Sequence, residues 1–124
     1  MQGYNLIAVV DDDPSMLKSI GRLLEALGFE IKLFSSAEAY KAQLGATGAA
    51  CLILDINLPG MSGIDLQREL SSSGIAVPVI FITGNDSEVT MRSVAEAGCV
   101  ACLPKPFGAP ALLEAVNKAI GGTR

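Results

Sequence analysis

Five short apolar runs, each followed by a stretch with helical spacing, constrain this chain more than any other feature of its sequence. The runs are Asn5–Val10 (NLIAVV), Glu30–Phe34 (EIKLF, which alternates as an edge strand does), Cys51–Leu54 (CLIL), Val77–Ile82 (VPVIFI) and Val100–Leu103, and each is predicted to be a strand. After the first run, Met16, Leu17, Ile20, Leu23, Leu24 and Leu27 recur at i, i+3, i+4 spacing, which predicts a helix over Pro14–Leu27 that Gly28 ends. Asp13 suits its N-cap and Pro14 its first position. Ser36 caps a short helix to about Leu44, and Gly45–Gly48 is read as a loop. The turn Leu58–Gly63 leads to a helix over about Ile64–Ser71. Asp86 or Ser87 caps a helix to Ala97, and the last helix covers Ala109–Ile120. Strict strand–helix alternation with strands apolar on both faces requires a parallel sheet covered on each side. Right-handed crossovers make this a three-layer α/β sandwich.

The 124 residues make one domain, and half of them are apolar, enough for a single core. The first apolar run is stopped by three aspartates, far short of the roughly 18 apolar residues a membrane span needs. No signal peptide opens the sequence, so a soluble, cytoplasmic chain is expected. Nine basic against thirteen acidic residues leave a net charge of −4, with the basic ones scattered. Phosphate neutralisation carries most nucleic-acid affinity, so direct nucleic-acid binding by this chain is not expected. There is no histidine, which excludes Ser-His or Cys-His nucleophile pairs, His-ligated zinc and a phosphohistidine on the chain itself.

Cys51, Cys99 and Cys102 are too few for a disulfide scaffold. Cys99 and Cys102 form a CxxC, but it follows the helix stop Ala97-Gly98 and leads into a strand. It therefore lacks the helix N-terminus that lowers a redox thiol's pKa, and a structural role is expected.

In open α/β sheets, ligands bind beyond the carboxyl ends of the strands. The first strand delivers Asp11, Asp12 and Asp13 there, the third Asp55, the fourth Thr83-Gly84, and the fifth Lys105. Each has a bland counterpart: Asp13 as a helix cap, Thr83 as a structural hydroxyl, Lys105 as a surface lysine. Their coincidence at one edge is what points to chemistry. Clustered carboxylates repel unless a cation joins them. A hard ion such as Mg²⁺ suits this oxygen set and often binds beside a phosphate, whose oxygens Lys105 and Thr83 would meet.

The segments VVDDDPSM, LILDINLPGMSGIDL, VIFITG and LPKPF, in this order and spacing, resemble the receiver domain of two-component response regulators over essentially the whole length. VDDDPSM, LPGMSG and TGN are most similar to the FixJ-like branch, whose members commonly carry a C-terminal helix-turn-helix. The resemblance implies a CheY-like fold with strand order 2-1-3-4-5 and five helices. It implies that Asp55 accepts a phosphoryl group from the phosphohistidine of a sensor histidine kinase. Asp12 would ligate Mg²⁺ directly, Asp11 largely through water, and Asn57 through its backbone carbonyl, leaving its side chain free. Lys105 would pair with Asp55 and then with the phosphoryl oxygens, Thr83 would turn its hydroxyl to them, and the Gly84 N–H would assist. The Lys105-Pro106 bond is expected to be cis. The switch would be read on the face of helix four, strand five and helix five, by a downstream protein or effector domain. Asn57 and Asn85 would tune the lifetime of the phosphoryl group.

One residue departs from the family pattern. Cys102 stands three residues before the lysine, where an aromatic is usual, so output is expected to rest more on Thr83 and helix four. Val89, Met91, Val94, Val100 and Cys102 would also suit a phosphorylation-dependent homodimer. No effector segment follows Arg124, so the whole chain, residues 1–124, is read as one receiver domain. It is either a single-domain regulator or a receiver cut from a longer transcription factor. A receiver fold used only for interaction, or as a phosphorelay shuttle, is the alternative reading. A flavodoxin would need a hydroxyl-rich first loop, and a haloacid-dehalogenase-type phosphatase a second Asp where Asn57 stands. The chain is thus not expected to act as an enzyme beyond its own phosphorylation and dephosphorylation.

Overall fold

The computed structural model describes residues 6–43, 48–84 and 88–121. The predicted alternation is present as β1 (Leu6–Val10), α1 (Pro14–Ala26), β2 (Glu30–Phe34), α2 (Ala37–Ala42), β3 (Cys51–Asp55), α3 (Gly63–Ser72), β4 (Val79–Thr83), α4 (Glu88–Ala97), β5 (Ala101–Pro104) and α5 (Ala109–Gly121). The five strands form one parallel sheet in the order β2-β1-β3-β4-β5.

Local chemistry sets the boundaries. Asp13 caps α1, its side chain accepting from Ser15 N at 2.9 Å, with Pro14 in the first turn. Ser36 caps α2 and Ser62 caps α3 through their hydroxyls, as short polar side chains do for unpaired helix N–H groups. β4 begins two residues later than the apolar run, since Pro78 has no N–H to offer the ladder; its carbonyl still accepts from Leu52 N at 2.9 Å. The second helix ends at Ala42 with Gln43 as its C-cap; Leu44, residues 45–47 of the loop after it, Asn85 and the Asp86 or Ser87 cap lie outside the described residues.

Alternate residues along each strand feed opposite cores, as the two-residue period of a strand requires. Ile7, Val9, Cys51, Ile53, Ile80 and Ile82 pack with Ile20 and Leu24 of α1 and Leu112 and Val116 of α5. Ala8, Val10, Leu52, Leu54 and Phe81 pack on the other face with Tyr40 of α2, Leu66 and Leu70 of α3 and Val94 of α4. This parity runs on past the strand ends. Asp11 and Asp55 follow Val9 and Ile53, and Lys105 follows Leu103, all on the α1/α5 side. Thr83 and Cys102 share the register of the other face.

Candidate functional site

Asp11 and Asp55 are carried just beyond or at the end of β1 and β3, two inner strands of the sheet, which explains why two carboxylates are 0% and 3% exposed. Backbone bonds fix both ends: Asp11 N donates to Phe34 O at 3.1 Å, and Ile56 N to Ile82 O at 3.0 Å. Lys105 N donates to Thr83 O at 2.7 Å, bringing the lysine from the sheet edge to the end of β4. The Lys105-Pro106 bond is cis, as expected.

The side chains then converge. Lys105 Nζ lies 3.1 Å from Asp11 Oδ2 and 3.3 Å from Asp55 Oδ2. The remaining oxygens are held by the backbone: Asp13 N donates to Asp11 Oδ1 at 2.9 Å and Asn57 N to Asp55 Oδ1 at 3.0 Å. Burial pushes the Asp11 carboxyl above its usual range and the neighbouring Asp55 adds to this, against the Asp13 amide and Lys105, which lower it. For Lys105, burial works against the charge, yet the two carboxylates outweigh it and the ammonium titrates above its ordinary value.

Asp12 is exposed at the mouth. Among the described residues, Asp11, Asp12 and Asp55 can each offer one carboxylate oxygen, all lying within 4.8 Å of one another. An all-oxygen, anionic set around a buried carboxylate whose charged form is disfavoured fits a hard divalent cation.

Thr83 is 1% exposed, Gly84 exposed beside it. The side chain of Asn57 is not free as the resemblance implied: its Nδ2 donates to Thr83 Oγ1 at 3.4 Å, tying the loop after β3 to the end of β4. Thr83, Met91, Cys102 and Pro104 line a cavity of about 310 Å³ between α4 and β5. Here the small side chain of Cys102 leaves space beside the site.

Two residues at the site went unremarked in the sequence. Gly63 starts α3 with no room for a Cβ against the Asp55 carbonyl oxygen, and a Cβ there would stand 3.0 Å from Ile56 Cα. Its own N–H donates to Ile56 O at 3.0 Å. Glu38 of α2 reaches the same loop, accepting from Met61 N at 3.0 Å. The LPGMSG turn held the signal for the glycine; nothing in the sequence marked the glutamate.

The CxxC is unpaired: Cys51, Cys99 and Cys102 are all free thiols. Desolvation raises all three above the usual thiol value, the buried Cys51 to about 12, opposite to a redox-active pair. Of the apolar residues suggested for a dimer face, Val94 is core, Val100 and Cys102 are half-buried, and Met91 is exposed; the Val89 side chain lies outside the description.

A 2-1-3-4-5 parallel sheet with buried acids and a lysine at its carboxyl edge defines a CheY-like α/β domain. Residues 7–117 match the response regulator receiver domain, and the chain belongs to that family. It is 38% identical over 117 residues to the response regulator protein TmoT of Ectopseudomonas mendocina, covering 94% of this chain and 53% of TmoT. It is 34% identical over 113 residues to the transcriptional regulatory protein FixJ of Rhizobium meliloti, covering 91% and 55%. A CheY-like receiver domain protein from Methanospirillum hungatei JF-1 superposes with a TM-score of 0.88 at 27% identity, covering 95% and 94%. The chain spans about half the length of these curated relatives. Among the described residues no helix is long and apolar enough to cross a membrane.

Proposed function

We propose that this chain accepts a phosphoryl group on Asp55 from the phosphohistidine of a sensor histidine kinase and relays the change to an effector. The observation that supports it most directly is the Lys105 ammonium shared between Asp11 and Asp55, on a carboxylate whose other oxygen is held by Asn57 N–H. A fixed nucleophile beside a movable cation suits phosphoryl transfer, which needs positioning and charge neutralisation more than covalent chemistry.

An Asp55 oxygen attacks phosphorus as the P–N bond breaks, and the imidazole leaves with the bonding electron pair. Asp11, Asp12, Asp55 and the Asn57 carbonyl would hold Mg²⁺, which supplies positive charge to the phosphoryl oxygens when bound. Lys105 shifts from the carboxylates to those oxygens. Thr83 turns its hydroxyl toward them, giving up the Asn57 amide, and the Gly84 N–H assists. The aspartyl phosphate adds charge and acceptor oxygens that bias a two-state element. Thr83 and Cys102 border one cavity against α4, so that element is α4 with β5, and output depends on Thr83 and helix four rather than on an inward aromatic.

Residues 1–124 then act as a receiver domain in the cytoplasm, without contacting nucleic acid themselves. By likeness to FixJ, the effector is a transcriptional one. The test is intact mass after incubation with Mg²⁺ and acetyl phosphate, beside an Asp55→Asn variant. One phosphoryl group gained by the parent alone supports the reading. No gain under conditions that label another receiver would leave an interaction-only module.

A further inference from the structure

The loop after β3 is held from outside the sheet, by a short helix with no residue in the acidic pocket. Glu38 sits in the first turn of α2, which Ser36 caps, Ala39 N donating to its Oγ at 3.0 Å. The Glu38 Oε2 accepts from Met61 N at 3.0 Å. A Cβ on Gly60 would stand 2.8 Å from that same oxygen, and Gly60 has φ +75°, so this backbone lies flush against the carboxylate in a conformation glycine favours. Further along α2, Lys41 Nζ meets Glu69 Oε1 of α3 at 2.7 Å. The loop thus bound runs from Asn57, whose N–H holds Asp55 Oδ1, to Gly63, which packs on the Asp55 carbonyl. Both ends of the loop touch Asp55, and its middle touches Glu38. The Met61 hydrogen bond, with the Glu38 N–H after it, keeps the Glu38 carboxyl below its usual range, as an ionised acceptor of backbone N–H groups should be.

We propose that Glu38 is a positioning residue for the phosphoacceptor, a clamp that fixes the 57–63 loop and with it the Asn57 amide and carbonyl at Asp55. The proposal rests on the phosphoacceptor reading of the site. Outer contacts of this kind orient the groups that do the chemistry, and their loss typically costs about tenfold or more in metal affinity. An exposed glutamate in a helix's first turn could otherwise serve only the helix, through its charge near the N-terminus. The two roles separate by substitution. Glu38→Gln and Glu38→Ala both remove the charge, but only glutamine keeps a side-chain oxygen to accept from Met61 N–H.

The experiment uses the full chain at a temperature where all variants are folded. It reads the Asn57, Met61 and Gly63 amide resonances without phosphodonor, Mg²⁺ affinity by calorimetry, and the rate of labelling by acetyl phosphate. Glu38→Ala should shift the Asn57 amide, weaken Mg²⁺ about tenfold and slow labelling about tenfold, while Glu38→Gln stays within about twofold of the parent. Glu38→Ala equal to the parent in all three, or merely less stable, would overturn the clamp, as would Glu38→Gln behaving like Glu38→Ala. If the parent itself takes no phosphoryl group, the functional reading falls. The clamp is then decided by the Asn57 amide and Mg²⁺ binding: unchanged in Glu38→Ala they overturn it, shifted and restored in Glu38→Gln they support it.

Discussion

The Lys105 ammonium lies slightly closer to Asp11 than to Asp55, 3.1 Å against 3.3 Å, although Asp11 is 94 residues away in sequence. The resemblance led us to expect the pair with Asp55. What the fold builds is a cation shared by two buried carboxylates, with the shorter contact to Asp11, whose carboxyl burial pushes above its usual range.

Removing that cation should leave two carboxylates facing each other in a buried place. Lys105→Met is expected to lose about 2–3 kcal/mol of unfolding free energy in metal-free buffer, at or below the low end for a broken buried pair because the lysine is partly exposed. Saturating Mg²⁺ should return a large part of this, since a ligand at 100 times its Kd adds about 2.7 kcal/mol. Urea denaturation with and without Mg²⁺ measures both. A variant whose stability Mg²⁺ leaves unchanged would mean the acids do not form a cation site.

Gly63→Ala should be costly at a position where alanine normally favours a helix. Its Cβ must displace the Asp55 carbonyl or the start of α3, and overpacking of this kind costs about 1–3 kcal/mol. Because the displaced backbone carries the acceptor, labelling by acetyl phosphate should slow by about tenfold or more. A stability loss with an unchanged labelling rate would place the strain in α3 alone.

The cavity beside Cys102 predicts that a larger side chain stabilises. Cys102→Phe is expected to gain about 1 kcal/mol, a few degrees in Tm, by filling part of the 310 Å³ bounded by Thr83, Met91 and Pro104. Calorimetry checks it. A fall in Tm would show that α4 closes too tightly to admit an aromatic.

Cys51 offers a pH signature with a fixed sign. Its thiol is held protonated by burial up to about 12, while an unfolded thiol ionises near 9.0. The folded state therefore binds this proton more tightly, so stability falls as pH rises between those values, by at most about 1.4 kcal/mol per unit. Comparing Cys51→Ala with the parent at pH 8 and pH 10 isolates the effect, because other titrating groups are common to both. At pH 8 a thiol reagent should modify the exposed Cys99 first and reach Cys51 only on unfolding.

Much of the fold is legible in the order of residues. Apolar periodicity located all five strands and the order of elements, because periods of 2 and 3.6 residues leave different local patterns. The rule that chemistry gathers at the carboxyl ends of parallel strands then picked out Asp11, Asp12, Asp55, Thr83 and Lys105; the structure brings the three carboxylates and the lysine together and joins Thr83 to Asn57. Periodicity did not distinguish Val94, which is core, from Met91, which is exposed, three residues earlier on the same helix.

The layered α/β fold and the donor atoms at one edge follow from the order of residues, since hydrophobic pattern and strand parity are local properties that survive without knowing what packs on what. Tertiary structure alone decided how those donors are shared. That Lys105 bridges two carboxylates, that Asn57 spends its side chain on Thr83, and that Glu38 holds a loop 23 residues away all depend on distances between elements. A hydrogen bond is made or lost within a few tenths of an ångström. No residue pattern along the chain encodes a separation that fine; it is set by how helices and strands settle against one core.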